Sequence, residues 1–263
     1  MQYVLALIMT AFIGSASGYI GSLMVTKRMA LTGGALGHLT LPGVALALKY
    51  SFDVSIGAFV ILIVGVLLIW AYETTTGIPM EALTAVVFSS SVSIAFLFLP
   101  EKHAVPALIG DISQISEIVT IIAVILSLLV VLMTKKIYPK MLMSGISEDI
   151  AESEGINVEK YNLIYLIGIA LIIALGVRVV GSLLTAALVA IPATAGRNIS
   201  KNHFQYTSSS LIFGAISCII GVSLYKLTGP SIWSLNVGSP GPLIIITSTA
   251  FFLTSLVAKK FRE

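Results

Sequence analysis

Nine uncharged apolar runs, each close to the length needed to cross a bilayer, constrain this chain more than any other feature. They are Tyr3 to Val25, Thr32 to Leu48, Val54 to Tyr72, Ala82 to Leu99, Ile118 to Thr134, Tyr161 to Val177, Val179 to Gly196, Phe204 to Tyr225 and Pro242 to Ala258. A membrane's hydrocarbon core takes about 20 apolar residues per helix, with a range of about 17 to 25. The chain is 57% hydrophobic and 10% charged, whereas a soluble domain carries roughly 25% charged residues. A soluble fold would leave too little polar surface to face water. The expected fold class is therefore all-α, a polytopic membrane helical bundle of about nine transmembrane helices. Eight remain possible, because Thr32-Gly33-Gly34 and Pro42 break the second run and the sixth and seventh almost abut at Arg178.

Residues 1–263 read as one membrane domain, with no stretch polar enough for a separate soluble catalytic domain. The small residues Gly14 to Gly18 follow an apolar stretch that no positive charge precedes, while Lys27 and Arg28 come after it. That polarity is the reverse of a cleavable signal and fits a retained first span. Alternating the spans puts Lys27, Arg28, Lys135, Lys136, Lys140, Lys160, Arg197, Lys201, Lys259, Lys260 and Arg262 on one side. The other side receives Lys49, Lys102, Arg178 and Lys226. Basic residues concentrate in cytoplasmic loops, so eleven against four predicts the N-terminus outside and the C-terminus cytoplasmic.

One interval, Lys135 to Lys160, holds nine of the 27 charged side chains and falls in the cytoplasm on this orientation. Within it Ser147 is suited to cap a helix of about 148 to 154, with Glu148 and Asp149 in its positive first turn and Gly155 ending it. Asn157 offers a cap for the next helix. A two-turn helix is marginal alone in water. Two readings fit: a solvated connector, or a docking helix that a cytosolic partner stabilises by packing on Ile146, Ile150 and Ala151.

Several function classes are excluded or unsupported. No G-x-x-x-x-G-K-[ST] phosphate loop occurs, so the chain does not bind ATP in that way by itself. Net charge +3 is what loop arginines and lysines produce in a membrane protein and needs no nucleic-acid partner. Cys218 is the only cysteine and cannot form an internal disulfide. His38, His103 and His203 are scattered over a span, an outer loop and an inner loop, so no nucleophile, base and orienter constellation is visible.

Four segments resemble permeases of the ATP-binding-cassette (ABC) importers for zinc, manganese and iron. Gly33-Gly34-Ala35-Leu36-Gly37-His38-Leu39-Thr40-Leu41-Pro42-Gly43-Val44-Ala45 resembles that family's A-L-S-H-x-x-L-P-G-[VI]-A stretch. Residues 151–158 resemble its A-x-x-x-G-[IV]-x-V coupling segment, and residues 180–195 its V-G-x-L-L-x-x-A-L-L-x-I-P-A-x-x-A helix. Ser239-Pro240-Gly241-Pro242-Leu243-Ile244 is similar to the P-x-G-x-x-I start of the last span. The four occur in family order over about residues 14 to 258. The chain departs from the pattern where Gly34 stands in place of the Asp found one helical turn before the histidine, and Gly37 in place of Ser. That Asp and the His share a face and together ligate a passing divalent ion.

His38 is the one histidine inside a predicted span, and an ionisable group at that depth is a functional candidate. It lines the pathway, ligates the metal directly, or is structural. As a ligand it needs a second His38 from a homodimer, or water and backbone carbonyls, to complete the shell. Ligation also needs neutral imidazole, so uptake should weaken below about pH 6.5. Pro42 and Pro192 interrupt helices, and freed carbonyls at such breaks need protein or a wet cavity. This favours a central pathway between the second and seventh spans, with Gly34, Pro42, Gly43 and Pro192 as its helix-break positions. Glu101, His103 and Asp111 read as loop charges, Arg178 as an interfacial anchor, and Met24, Met29, Met141 and Met143 as packing.

The resemblance implies the permease subunit of an ABC importer for a divalent transition metal, embedded in the cell membrane. It implies no cofactor bound by this chain and no enzyme activity of its own, with ATP held by a partner. The implied partners are a cytosolic ATPase dimer, an extracellular solute-binding protein, a second permease copy and the lipid bilayer. Glu148, Asp149, Ala151 and Gly155 are the expected ATPase-coupling residues. The alternatives are a permease of the same fold for a non-metal substrate, and a stand-alone secondary transporter or channel. The spans are almost free of carboxylates and carry no clear repeat, which is unlike the latter.

Overall fold

A computed structural model of the chain describes residues 2–98, 115–182, 184–228, 231–232, 235–236 and 239–261. In chain order the elements are α1 (Gln2–Thr26), α2 (Ala30–Leu39), α3 (Leu41–Tyr50), α4 (Val54–Thr76), α5 (Met80–Phe98), α6 (Glu117–Ile146), α7 (Glu148–Ser153), α8 (Val158–Val180), α9 (Thr185–Ile199), α10 (His203–Thr228), β1 (Ser231–Ile232), β2 (Leu235–Asn236) and α11 (Gly241–Lys260). The two strands form a minimal antiparallel ribbon. Among the described residues, α1, α4, α5, α6, α8, α10 and α11 are long and apolar enough to cross a membrane, seven in all.

The second and seventh predicted spans take other forms. The second is divided at Thr40 into α2 and α3. Pro42 is the cause: it has no N–H for the His38 carbonyl one turn earlier, and its ring crowds that carbonyl. The seventh is the 15-residue α9. It parts from α8 at Gly181 and not at Arg178, because α8 runs on through Arg178 to Val180 and Gly181 takes φ 86°, a conformation open to glycine at little cost. Pro192 and Gly43 do not interrupt helices as expected. Pro192 lies inside α9 and Gly43 inside α3.

The distribution of side chains is that of a protein in lipid. Large apolar residues such as Val60, Val64 and Leu67 of α4, or Ile121, Ile125, Leu128 and Leu132 of α6, point outward, while Thr10, Ser17, Ser22, Ser127, Ser210 and Ser217 are buried. Many of the hydroxyls return to their own helix, as Ser210 does to the Tyr206 carbonyl at 2.8 Å. The most apolar windows of α8 and α1 are 72% and 56% buried, against 22–33% for the other long helices, so these two are central.

Small residues let α1 reach its neighbours. A Cβ on Gly14 would stand 2.4 Å from the Gly214 carbonyl oxygen, one on Gly18 2.0 Å from that of Ser210, and one on Gly21 2.1 Å from that of Val189. These three positions form a stripe on α1 that touches the α10 and α9 backbones directly, which is how helices associate where lipid competes with apolar packing. Gly14→Val should therefore force the backbones apart and destabilise the protein by about 1–3 kcal/mol. Gly145→Ala, whose Cβ would have no neighbour nearer than 3.9 Å, should be neutral or stabilising by up to about 1 kcal/mol. Thermal unfolding of the two variants in detergent checks the contrast.

Candidate functional site

His38 lies two residues before the α2–α3 break. Four helices surround it and its neighbours. The His38 ring is half-buried and tilted against Phe88 of α5, with centroids 5.5 Å apart. Leu39 fills the gap left by Gly65 of α4, and Gly33 faces the thioether of Met24 on α1. At Gly37 a Cβ would stand 3.1 Å from the Ser182 carbonyl oxygen, so α2 packs closely on the turn between α8 and α9. Gly34 behaves differently: a Cβ built there meets nothing within 4 Å. An open space therefore lies beside His38, on the face that Gly34 shares with it one turn away.

The break is chemically provided for. The Thr40 hydroxyl donates to the Gly37 carbonyl at 2.7 Å, and the Ser91 hydroxyl of α5 donates to the Leu39 carbonyl at 3.1 Å within the core. These bonds satisfy carbonyls that water cannot reach. Gly43 has a packing role, since a Cβ on it would stand 2.1 Å from the Gly57 carbonyl oxygen of α4. Pro192 is buried inside α9. Among the described residues no three His, Cys, Asp or Glu side chains converge as a metal site. His38 thus belongs to no such group among the described residues. Glu101, His103 and Asp111 lie outside the described residues.

At the end of the bundle where α3 meets α4, Arg178 of α8 pairs with Asp53, which also caps α4 by accepting from Ser55 N at 2.8 Å. Arg178 is therefore ion-paired to the α3–α4 connection. Burial pushes the Asp53 carboxyl up, but the Arg178 guanidinium outweighs it and holds Asp53 below the ordinary carboxylate range.

At the opposite end, α6 is 30 residues long, about 45 Å at 1.5 Å per residue. It outruns the bilayer core and leads into the charged segment. The Ser147 hydroxyl accepts from Ile150 N at 3.3 Å, α7 carries Glu148 and Asp149 in its first turn, Gly155 takes φ 75°, and Asn157 accepts from Lys160 N at 2.8 Å. Ile146 and Ile150 are exposed, at 80% and 54%. Ala151 is fully buried, so it packs inward and cannot be a docking contact as expected. Glu73, Glu148, Glu152 and Glu159 line a cavity of about 210 Å³ with Trp70 and Asn162. Lys27 sits next to these carboxylates. Its ammonium donates to Asn162 Oδ1 at 2.9 Å and Ser144 Oγ at 3.3 Å. Burial lowers the Lys27 pKa, and the Glu148 and Glu73 carboxylates oppose that shift.

Residues 2–259 match the ABC 3 transport family. The chain belongs to this family. Its relatives include the manganese import system permease protein ScaB of Streptococcus parasanguinis, 25% identical over 98% of this chain and 91% of ScaB. The high-affinity zinc uptake system membrane protein ZnuB of Buchnera aphidicola is 27% identical over 93% of each chain. Among solved structures, PsaBC from Streptococcus pneumoniae in complex with Fab shares the fold with TM-score 0.79 at 21% identity, covering 98% of this chain and 94% of that one. This ABC 3 family protein is accordingly a multi-pass membrane protein, as its seven long apolar helices require.

Sequence reasoning about this family member missed Phe88, Ser91 and Asp53. Phe88 and Ser91 lie in an apolar run whose facing could not be read without knowing what α5 packs on. Asp53 had one usable signal: it immediately precedes an apolar run and is a strong cap residue. Because folding lowers its pKa, the Asp53–Arg178 pair contributes stability above the unfolded pKa, about 3.9. That contribution is lost as pH falls through the lower folded value. A double-mutant cycle with Asp53→Asn and Arg178→Gln should show coupling on the order of 1 kcal/mol at neutral pH. Acid titration of unfolding should remove it, and equal stability of wild type and Asp53→Asn at neutral pH would contradict the pairing.

Proposed function

We propose that this chain is the membrane-spanning permease subunit of an ABC importer that carries a divalent transition metal ion, manganese or zinc, into the cytoplasm. The observation that carries the reading is the discontinuous α2–α3 pass, which has His38 two residues before a helix break and one turn from the open space at Gly34, while its neighbour Gly37 packs on the α8–α9 turn. Broken helices near mid-membrane are where transporters expose donors to a passing substrate. The relatives named as manganese and zinc permeases favour a metal over a non-metal cargo. Membership of an ABC family disfavours a stand-alone carrier.

In this reading the chain makes nine passes, seven as long helices, one as α2–α3 and one as α9, with the N-terminus outside and the C-terminus cytoplasmic. The single domain works as a homodimer with a cytosolic ATPase dimer, and a solute-binding protein delivers the ion from outside. ATP hydrolysis belongs to the partner. The exposed Ile146–Ile150 face, with Glu148 and Asp149, receives the ATPase, while Gly155 permits the tight return into α8. His38 offers one imidazole nitrogen, and water and break carbonyls complete a weak shell that releases the ion as access alternates.

His38→Ala should lower ATP-driven manganese or zinc uptake into proteoliposomes by about tenfold or more, with assembly intact. Unchanged uptake would remove His38 from the pathway. Gly34→Asp enters open space, so the protein should fold normally and take up metal with higher apparent affinity. Gly155→Leu imposes a left-handed backbone on a side-chain residue, at a local cost of about 1–2 kcal/mol. It should separate ATP hydrolysis from uptake while leaving the unfolding temperature of the bundle nearly unchanged.

A further inference from the structure

The broken α2–α3 pass is flanked by two charged residues, and both are held by the same helix. Lys27, just before α2, donates to Asn162 at the start of α8, and Asp53, just after α3, pairs with Arg178 near the end of α8. Asn162 and Arg178 are 16 positions apart on one uninterrupted helix, about 24 Å at 1.5 Å per residue. The pass that carries His38 is therefore joined near both ends to the same helix. The two joins differ. Asp53–Arg178 is a charge pair to α8. Lys27 bridges two elements, because its ammonium also reaches Ser144 in the last turn of α6.

That bridge has a particular location. Ser144 and Asn162 lie on either side of α7, at the two roots of the segment that leaves the bundle. Any displacement of α7 that moves the end of α6 relative to the start of α8 must stretch or relax the Lys27 contacts. Lys27 lies next to Arg28, which adopts φ 61°, and Met29 then leads into α2. A left-handed conformation at a residue with a side chain is held by its surroundings, so the α1–α2 turn is a defined and tightly wound connection.

We infer that Lys27 is a positioning residue for transport: it transmits displacement of α7 to the His38-bearing pass, while Asp53–Arg178 holds the far end of that pass on α8 as a pivot. The inference rests on the permease reading above. A tether of this kind moves the pass as a unit, so the break at Thr40 shifts against the α8–α9 turn without unfolding. Neutralising Lys27 should leave the ATPase assembled and active but weaken the link between its cycle and the pathway.

The experiment uses the complete transporter, permease with ATPase and binding protein, in proteoliposomes. It measures ions moved per ATP hydrolysed for wild type, Lys27→Met, Lys27→Arg and Asn162→Ala. Lys27→Met should lower the ratio by roughly two- to thirty-fold, the range of coupling perturbations, with the hydrolysis rate retained. Lys27→Arg should recover part of it, and Asn162→Ala should lower it while keeping the cation. A purely structural role would reduce assembly and unfolding temperature and leave the ratio alone. An unchanged ratio in both Lys27→Met and Asn162→Ala overturns the inference. If Lys27→Met fails to assemble, Asn162→Ala decides. If wild type moves no manganese or zinc, the permease reading itself fails, an outcome distinct from an unchanged ratio in the variants.

Discussion

Backbone contact between α1 and its neighbours α9 and α10 is the constraint on which the remaining structure depends. Inside lipid an apolar side chain gains little by exchanging a lipid tail for a protein neighbour, so helix association rests on dispersion at close range. Gly14, Gly18 and Gly21 recur at four- and three-residue spacing and remove the side chains that would hold the helices apart. With that face committed, the opposite side of α1 packs on α6 and α8, where Ile20 comes within 3.1 Å of a Cβ built on Gly168. The end of α1 is then fixed in space, and α2 starts from it with Met24 under its first turn.

A broken helix within such a bundle is costly unless its carbonyls find partners. The break at Thr40 is supported from three directions: by its own hydroxyl, by Ser91 of α5, and by the close approach of Gly37 to the α8–α9 turn. That turn is itself a discontinuity, set by Gly181. Two interruptions from distant parts of the chain thus meet at one place. Their meeting leaves polar backbone and one imidazole near the open space at Gly34.

The charged contacts of Asp53, Arg178 and Lys27 lie at the ends of the bundle, where they tie helices together. Asp53–Arg178 and the Lys27 contacts are partly buried, where screening by solvent is weaker than at an open surface. Each joins the short helices to α8. The acidic cavity lined by Glu73, Glu148, Glu152 and Glu159 lies between α7 and the ends of α4 and α8, so the segment that projects from the bundle borders a charged site.

Much of this was legible in the sequence because its cause is local. Uncharged runs set the long helices, since a spanning helix must satisfy its backbone internally and present apolar side chains. Ser147, Gly155 and Asn157 set the ends of α7 and the start of α8, because caps and a left-handed glycine act within four residues. Pro42 announced a break, by removing one N–H. What only the tertiary structure decided is whatever depends on residues far apart in the chain. Pro192 sits buried within α9 without ending it. Ala151 faces inward, so only Ile146 and Ile150 of the expected docking face stay exposed. Arg178 finds Asp53 across 125 positions, and Lys27 finds Asn162 across 135. The space one turn from His38 exists because no other part of the chain comes within 4 Å of a Cβ built on Gly34. Hydropathy and capping report a residue's own backbone, whereas a partner or a void is a property of what the rest of the chain brings there.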